Sequence, residues 1–243
     1  MDIIIPIEKN EIETSTLPCA YQKLIDLTEE ERHPKKSPHR HIVDPPSGGK
    51  ITLVCCETTV GPFSVAVHTK WAPLGAERFL ELVRNKYFST RVALMRCIKN
   101  FICQFGIAGD PSINKMYESK NILDDPNWLP EGPTNRVNAD GTKRFSIGYM
   151  AYAGGGPNTR SNQFIVALKD NAMLGGGSPW EVPFGEVVGK ESFDVLSKIY
   201  TGYGENGPPQ HLLAQEGSSK NVKDLFPALD YVTACTVIDE EIN

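Results

Sequence analysis

Apolar and polar positions alternate through much of Phe63-Ser64-Val65-Ala66-Val67-His68. The run before it, Ile51-Thr52-Leu53-Val54-Cys55-Cys56-Glu57, is rich in β-branched residues, and Thr58 to Pro62 reads as a turn. Two strand-like runs on either side of a Gly-Pro turn predict a β-hairpin. The period then lengthens. In Pro73 to Asn85, Ala76, Phe79, Leu80 and Val83 share one face at helical spacing, and Pro73 suits a first-turn position. Val92 to Phe105 reads as two more strands, interrupted near Lys99-Asn100. Ile147 to Tyr152 and Gln163 to Leu168 are strands around a glycine-rich turn, Phe184 to Val188 is a short strand, and Tyr231 to Ile238 is the last. Ser192 is placed to cap a second amphipathic helix that turns Phe193, Leu196 and Ile199 or Tyr200 inward. About eight strands and two widely separated helices emerge, which fits a mainly β barrel sealed at its ends better than βαβ units.

Two segments lack this patterning. Residues 1–49 hold a candidate short helix around Tyr21-Gln22-Lys23-Leu24-Ile25, a basic stretch broken by prolines from Arg32 to His41, and the linker Asp44-Pro45-Pro46-Ser47-Gly48-Gly49. They read as an N-terminal extension, partly disordered or laid against a partner, with the domain spanning 50–243. Ile3-Ile4-Ile5 is short and follows no basic leader, so it is not read as a signal peptide. Residues 106–145 are long, polar and rich in Pro, Asn and Asp, and read as an inserted functional or covering loop.

Composition changes the picture in three ways. Apolar residues are 40% of 243, enough for a real core. A net charge of -5 argues against a nucleic-acid-binding surface, and no run approaches the ~20 apolar residues of a membrane span. The six cysteines form no CxxC pair and read as buried thiols of a reducing, cytoplasmic compartment, with a disulfide framework as the lesser alternative. Three of the five histidines lie in the basic stretch of the extension, at no metal-ligand spacing. Gly202-Tyr203-Gly204-Glu205-Asn206-Gly207 matches GxGxxG, but it follows a helix and runs into Pro208-Pro209, so it is not read as a dinucleotide loop. No nucleophile is paired with a convincing histidine base.

Four segments carry a resemblance. Met95-Arg96-Cys97-Ile98-Lys99-Asn100-Phe101-Ile102-Cys103-Gln104-Phe105-Gly106 keeps an arginine, a phenylalanine five on and a glutamine eight on. Ala153-Gly154-Gly155-Gly156-Pro157-Asn158-Thr159-Arg160-Ser161-Asn162-Gln163-Phe164, Pro183-Phe184-Gly185-Glu186-Val187 and the helix start Ala76-Glu77-Arg78-Phe79 accompany it. Together, over roughly residues 50–240, they resemble the cyclophilin-type peptidyl-prolyl cis-trans isomerases. The resemblance implies a closed eight-stranded antiparallel β-barrel capped by two α-helices. It implies rotation of Xaa-Pro bonds in proline-containing segments of client proteins, with no cofactor and no metal. That agrees with the failed search for a nucleophile, since rotation makes and breaks no covalent bond.

By the same resemblance, Arg96 is the donor that stabilises the twisted amide and Gln104 orients it or binds a substrate carbonyl. Phe101 and Ile102 line a cup for the proline ring; from the residues alone both serve equally as core. Ala153, Gly154 and Gly155 supply the groove floor and backbone hydrogen bonds, Gln163 binds the peptide backbone, and Asn158 forms a turn. Ile165 stands where the family has an aromatic residue, and Met173, followed by Leu174, falls at its tryptophan position. Both keep the cup apolar and change its shape. The family's pocket histidine has Trp180 and Glu181 as candidate counterparts. The alternative function is an interaction module of a larger assembly, attached through 1–49 or 106–145, with weak or no turnover.

Overall fold

The structure is a computed structural model that describes residues 50–125, 145–171, 174 and 179–241. The proposed extension 1–49, Met173 and most of the stretch from Gly175 to Pro179 lie outside the described residues.

The expected hairpin is β1 (Ile51–Thr58) and β2 (Phe63–His68), paired antiparallel with Cys56 opposite Phe63. Its turn closes where Thr58 N and Oγ1 both donate to the Gly61 carbonyl. Helix α1 (Pro73–Arg84) follows, with Ala76, Phe79, Leu80 and Val83 buried as the spacing predicts. Then come β3 (Val92–Ala93), β4 (Arg96–Cys97), β5 (Ile102–Phe105) and α2 (Pro111–Tyr117). Next are β6 (Tyr149–Tyr152), β7 (Phe164–Ala167), β8 (Gly185–Val188) and α3 (Lys190–Leu196). Helices α4 (Gln210–Glu216) and α5 (Lys220–Leu225) precede the last strand, β9 (Tyr231–Glu241).

The nine strands form one curled antiparallel sheet in the order β3-β9-β1-β2-β8-β6-β7-β5-β4. Nine replaces the expected eight because the run from Val92 to Cys97 changes partners midway. Leu94 N donates to Asp230 O on the β9 side, and Met95 N donates to Gln104 O on the β5 side. The ends of the sheet order are therefore two pieces of one stretch of chain. Alternation sorts the side chains. Val54, Val65, Val67, Met150, Tyr152, Phe164, Val166, Cys103 and Phe105 face one core together with Phe79 of α1 and Phe193 of α3. Trp71, Ile102, Phe145, Tyr149, Ala151, Ile165 and Ala167 form a second cluster on the opposite face of the sheet.

Four expectations need correction. Helices number five among the described residues rather than two. α2, α4 and α5 are six or seven residues long, too short to show a period, although Asp110 and Ser219 cap α2 and α5 through their side chains. The stretch 106–125 is thus partly helical rather than a plain loop. Ser192 does not cap α3; Gly189 holds that position, and Ser192 Oγ accepts from Ser64 N. Of the alternatives at its end, Ile199 is buried and Tyr200 is exposed. Finally, the buried cysteines are not thiols: Cys56–Cys235 and Cys97–Cys103 are disulfides, and Cys55 is also disulfide-bonded. Cross-strand register explains the two pairs, since Cys56 lies opposite Cys235 and Cys97 opposite Cys103.

One buried ion pair fastens the 118–125 stretch to the barrel. Ala72 gives α1 no side-chain cap. Instead Asp125 accepts from Leu74 N and Gly75 N, both at 2.8 Å. The same carboxylate accepts from Arg160 Nη1 at 2.9 Å, with both side chains fully buried. Arg160 Nη2 also donates to Leu123 O, and its guanidinium lies over the Tyr152 ring.

Candidate active site

The hydrophobic face opposite the main core carries the site. β4 and β5 pair with Arg96 opposite Gln104, and β5 and β7 pair with Gln104 opposite Ile165. β7 and β6 continue the row with Ile165 opposite Ala151. Because side chains alternate, Arg96, Gln104 and Ile165 project together on one face while Cys97, Cys103 and Phe164 turn to the core. Two residues along the strands Ile102 lies opposite Ala167, so it joins the same face.

These residues border a groove of about 630 Å³. Its apolar side is Phe101, Ile102, Ile165, Ala153 and Leu174. Ile102 and Ile165 are buried, backed by Trp71, Phe145 and Tyr149, while Phe101, Ala153 and Leu174 are half-buried against them. Its polar side is a line of hydrogen bonds. Arg96 Nη1 donates to Gln104 Oε1 at 3.4 Å, Gln104 Nε2 to Gln163 Oε1 at 2.9 Å, and Gln163 Nε2 to Gln210 Oε1 at 3.1 Å. Gln104 is buried. Arg96 is partly exposed and also meets Glu205, whose carboxyl it holds below its usual range through that hydrogen bond.

Of the residues anticipated from sequence, Arg96, Gln104, Phe101, Ile102, Ala153, Gly154, Gly155, Gln163, Ile165 and Leu174 all border the groove. Met173 lies outside the described residues. One role is narrowed to fewer backbone groups. Ala153 N already donates to Gln163 O, and Gly155 N donates to Thr159 Oγ1, so these two amides are engaged within the 153–163 turn rather than offered to a peptide. Gly154 has a separate requirement: an added Cβ would sit 2.9 Å from Trp180 Cβ. Trp180 thus packs on the turn, while Glu181 borders the groove. Asn158 is a turn residue, with φ 56° and a reciprocal pair of hydrogen bonds to Asp124.

Sequence reasoning missed Glu118, Asn121, Thr159, Ser161 and Gln210, which also border the groove. Glu118 and Asn121 come from the polar stretch after β5, whose path is set by the Asp125–Arg160 pair. No local pattern announces them. Among the described residues, no group of three or more His, Cys, Asp or Glu side chains is placed to hold a metal ion. Among the same described residues, no helix is long and apolar enough to cross a membrane.

Similarity to known proteins agrees with this geometry. Peptidyl-prolyl cis-trans isomerase CYP18-2 of Arabidopsis thaliana is 32% identical over 133 residues, covering 53% of this chain and 71% of that one. The spliceosome-associated protein CWC27 homolog of Xenopus laevis is 25% identical over 197 residues, 79% of this chain and 37% of that one. In fold, a cyclophilin-type isomerase of Cryptosporidium parvum superposes with a TM-score of 0.51 at 20% identity, covering 77% of this chain and 97% of that one. The family model described as cyclophilin type peptidyl-prolyl cis-trans isomerase/CLD matches residues 53–215, which hold the sheet apart from β9 and the first residues of β1, together with the apolar cup and the Arg96–Gln104–Gln163 line. This chain therefore belongs to the cyclophilin-type peptidyl-prolyl cis-trans isomerases.

Proposed function

We propose that Arg96 is the group by which this isomerase domain accelerates Xaa-Pro rotation, with the cup at Phe101, Ile102, Ile165 and Leu174 holding the proline ring. The uncatalysed barrier is about 20 kcal/mol, because amide resonance keeps the C–N bond planar. As the bond twists, resonance is lost and the nitrogen regains a lone pair that accepts a hydrogen bond. A guanidinium fixed beside the ring favours that twisted state over both planar ones, so it lowers the barrier instead of merely tightening binding. The apolar cup holds the ring still while the preceding residue turns. Gln104 steadies Arg96, and Gln163 binds the peptide backbone beyond the ring.

The observation that carries the reading is the register of β4, β5 and β7, which sets the Arg96–Gln104–Gln163 line directly beside the cup. We read the Val92–Cys97 stretch as one interrupted strand that closes the sheet into an eight-stranded barrel, giving the groove a rigid floor. The test is a protease-coupled proline-peptide assay on the whole chain and on Arg96→Ala. The variant should fold and lose about 10²-fold in kcat/KM, the effect of one aimed donor. A folded variant within twofold of the parent refutes the assignment. A second reading, an interaction module attached through 1–49 or 106–145, is supported by the match to a spliceosome-associated relative. Absence of turnover in the parent chain selects it.

A further inference from the structure

The GxGxxG segment Gly202–Gly207, not read as a dinucleotide loop from its context, is built into the site. Residues Gly204–Asn206 form a single 3-10 turn that packs beside β4. At Gly207 an added Cβ would collide with the Met95 carbonyl oxygen, so only glycine lets the segment lie this close to the residue preceding Arg96. At its other end Tyr203 is anchored: its hydroxyl accepts from Ala228 N at 3.1 Å, and its ring meets Phe226 edge-on. Glu205 is thereby held over Arg96. Arg96 Nε donates to Glu205 Oε2 at 2.5 Å, and Nη2 donates to Oε1 at 2.6 Å.

We propose that Glu205 is a positioning residue for the isomerisation, gripping the Nε–Nη2 edge of Arg96 so that the rest of the guanidinium is aimed before substrate arrives. The proposal rests on Arg96 being the catalytic donor. A guanidinium has five N–H groups. Two go to Glu205 and one to Gln104, which leaves two to face a peptide in the groove. Without Glu205, Arg96 keeps only the 3.4 Å contact with Gln104. A long side chain held by one weak hydrogen bond samples several rotamers, and most of them aim the donors elsewhere. A bidentate carboxylate fixes the plane of the fork as well as its position. Gln210, from the same stretch of chain, ends the polar line at Gln163, so this stretch holds both ends of it.

Glu205→Gln tests this, since an amide keeps the size but offers one acceptor and brings donors against the guanidinium. Expected is a fall in kcat of about tenfold with KM within twofold, because aim matters in the transition state and little in binding. In an Arg96→Ala background the same substitution should change nothing. Gly207→Ala, which pushes the segment off Met95, should lower kcat in the same way. The Arg96 Nε–H proton, followed by NMR in the free protein, should be protected in the parent and exchange freely in Glu205→Gln. That signal reports the clamp without any turnover, so it separates failure of the clamp from failure of the isomerase reading. An unchanged or raised kcat in Glu205→Gln, an equal loss in the Arg96→Ala background, or an unprotected Nε–H in the parent each overturns the proposal. A parent without turnover removes the isomerisation role even where the Nε–H is protected.

Discussion

Asp125→Ala should be among the most damaging single substitutions in the described residues, although Asp125 belongs to a polar stretch between strands. The carboxylate has two duties. It accepts the Leu74 and Gly75 amides at the start of α1, where Ala72 offers no cap. It also neutralises Arg160, whose side chain is fully buried. Losing a helix cap costs about 1 kcal/mol. Removing one partner of a buried ion pair costs about 3–5 kcal/mol. Asp124 Oδ1, 3.6 Å from Arg160 Nε, still faces the cation and holds the loss to the lower end of that range, and the cap and ion-pair effects share one side chain and overlap. A total of about 3 kcal/mol converts to a fall in Tm of roughly 6–12 °C for a chain of this size. Chemical denaturation of the parent, Asp125→Ala, Arg160→Met and the double variant measures it. The double variant should be more stable than Asp125→Ala alone, because it removes a buried charge that Asp124 alone balances poorly at 3.6 Å. A loss below about 1 kcal/mol in Asp125→Ala, or additive losses in the cycle, refutes the reasoning. Turnover supplies a second readout, since Glu118 and Asn121 border the groove from the stretch that Asp125 fastens.

Three further outcomes are expected. Gln163→Ala should raise KM several-fold with little change in kcat, because a bond to the peptide backbone is made equally in ground and transition states; a fall in kcat alone contradicts that role. Tyr87 and Tyr152 are buried, which pushes both phenols far above their ordinary value of 10.0. Above pH 10 the unfolded chain releases those protons and the folded chain does not, so stability is intact below pH 10 and falls as pH rises beyond it; phenolate absorbance for these two should appear only with unfolding. Cys56, Cys235, Cys97 and Cys103 should alkylate only after reduction, and labelling of any of them without reductant refutes the pairing.

Much of the fold was legible because its signals are local. The β1–β2 hairpin, α1 and the strands around the glycine-rich turn each bury one face, and a period of two or 3.6 records which face it is. α2 illustrates the limit. Its signal is a cap, Asp110 before Pro111, inside a stretch whose polar composition reads as loop. The change of partner at Leu94–Met95 left no mark either, since a strand that changes partners keeps its own alternation.

The sequence, through its family resemblance, picked out most of the polar line and the cup, because Arg96, Phe101, Ile102 and Gln104 lie within nine positions of one another and Gln163 sits in a distinctive turn; Gln210, at the end of the line, carried no such signal. Tertiary structure alone decided what surrounds them. Glu205 reaches Arg96 across a separation of 109 residues, Asp125 reaches Arg160 across 35, and Cys56 reaches Cys235 across 179. Contacts of that kind depend on how strands register and where connecting segments return. Register is fixed by the burial of every strand at once, so no window of sequence contains it.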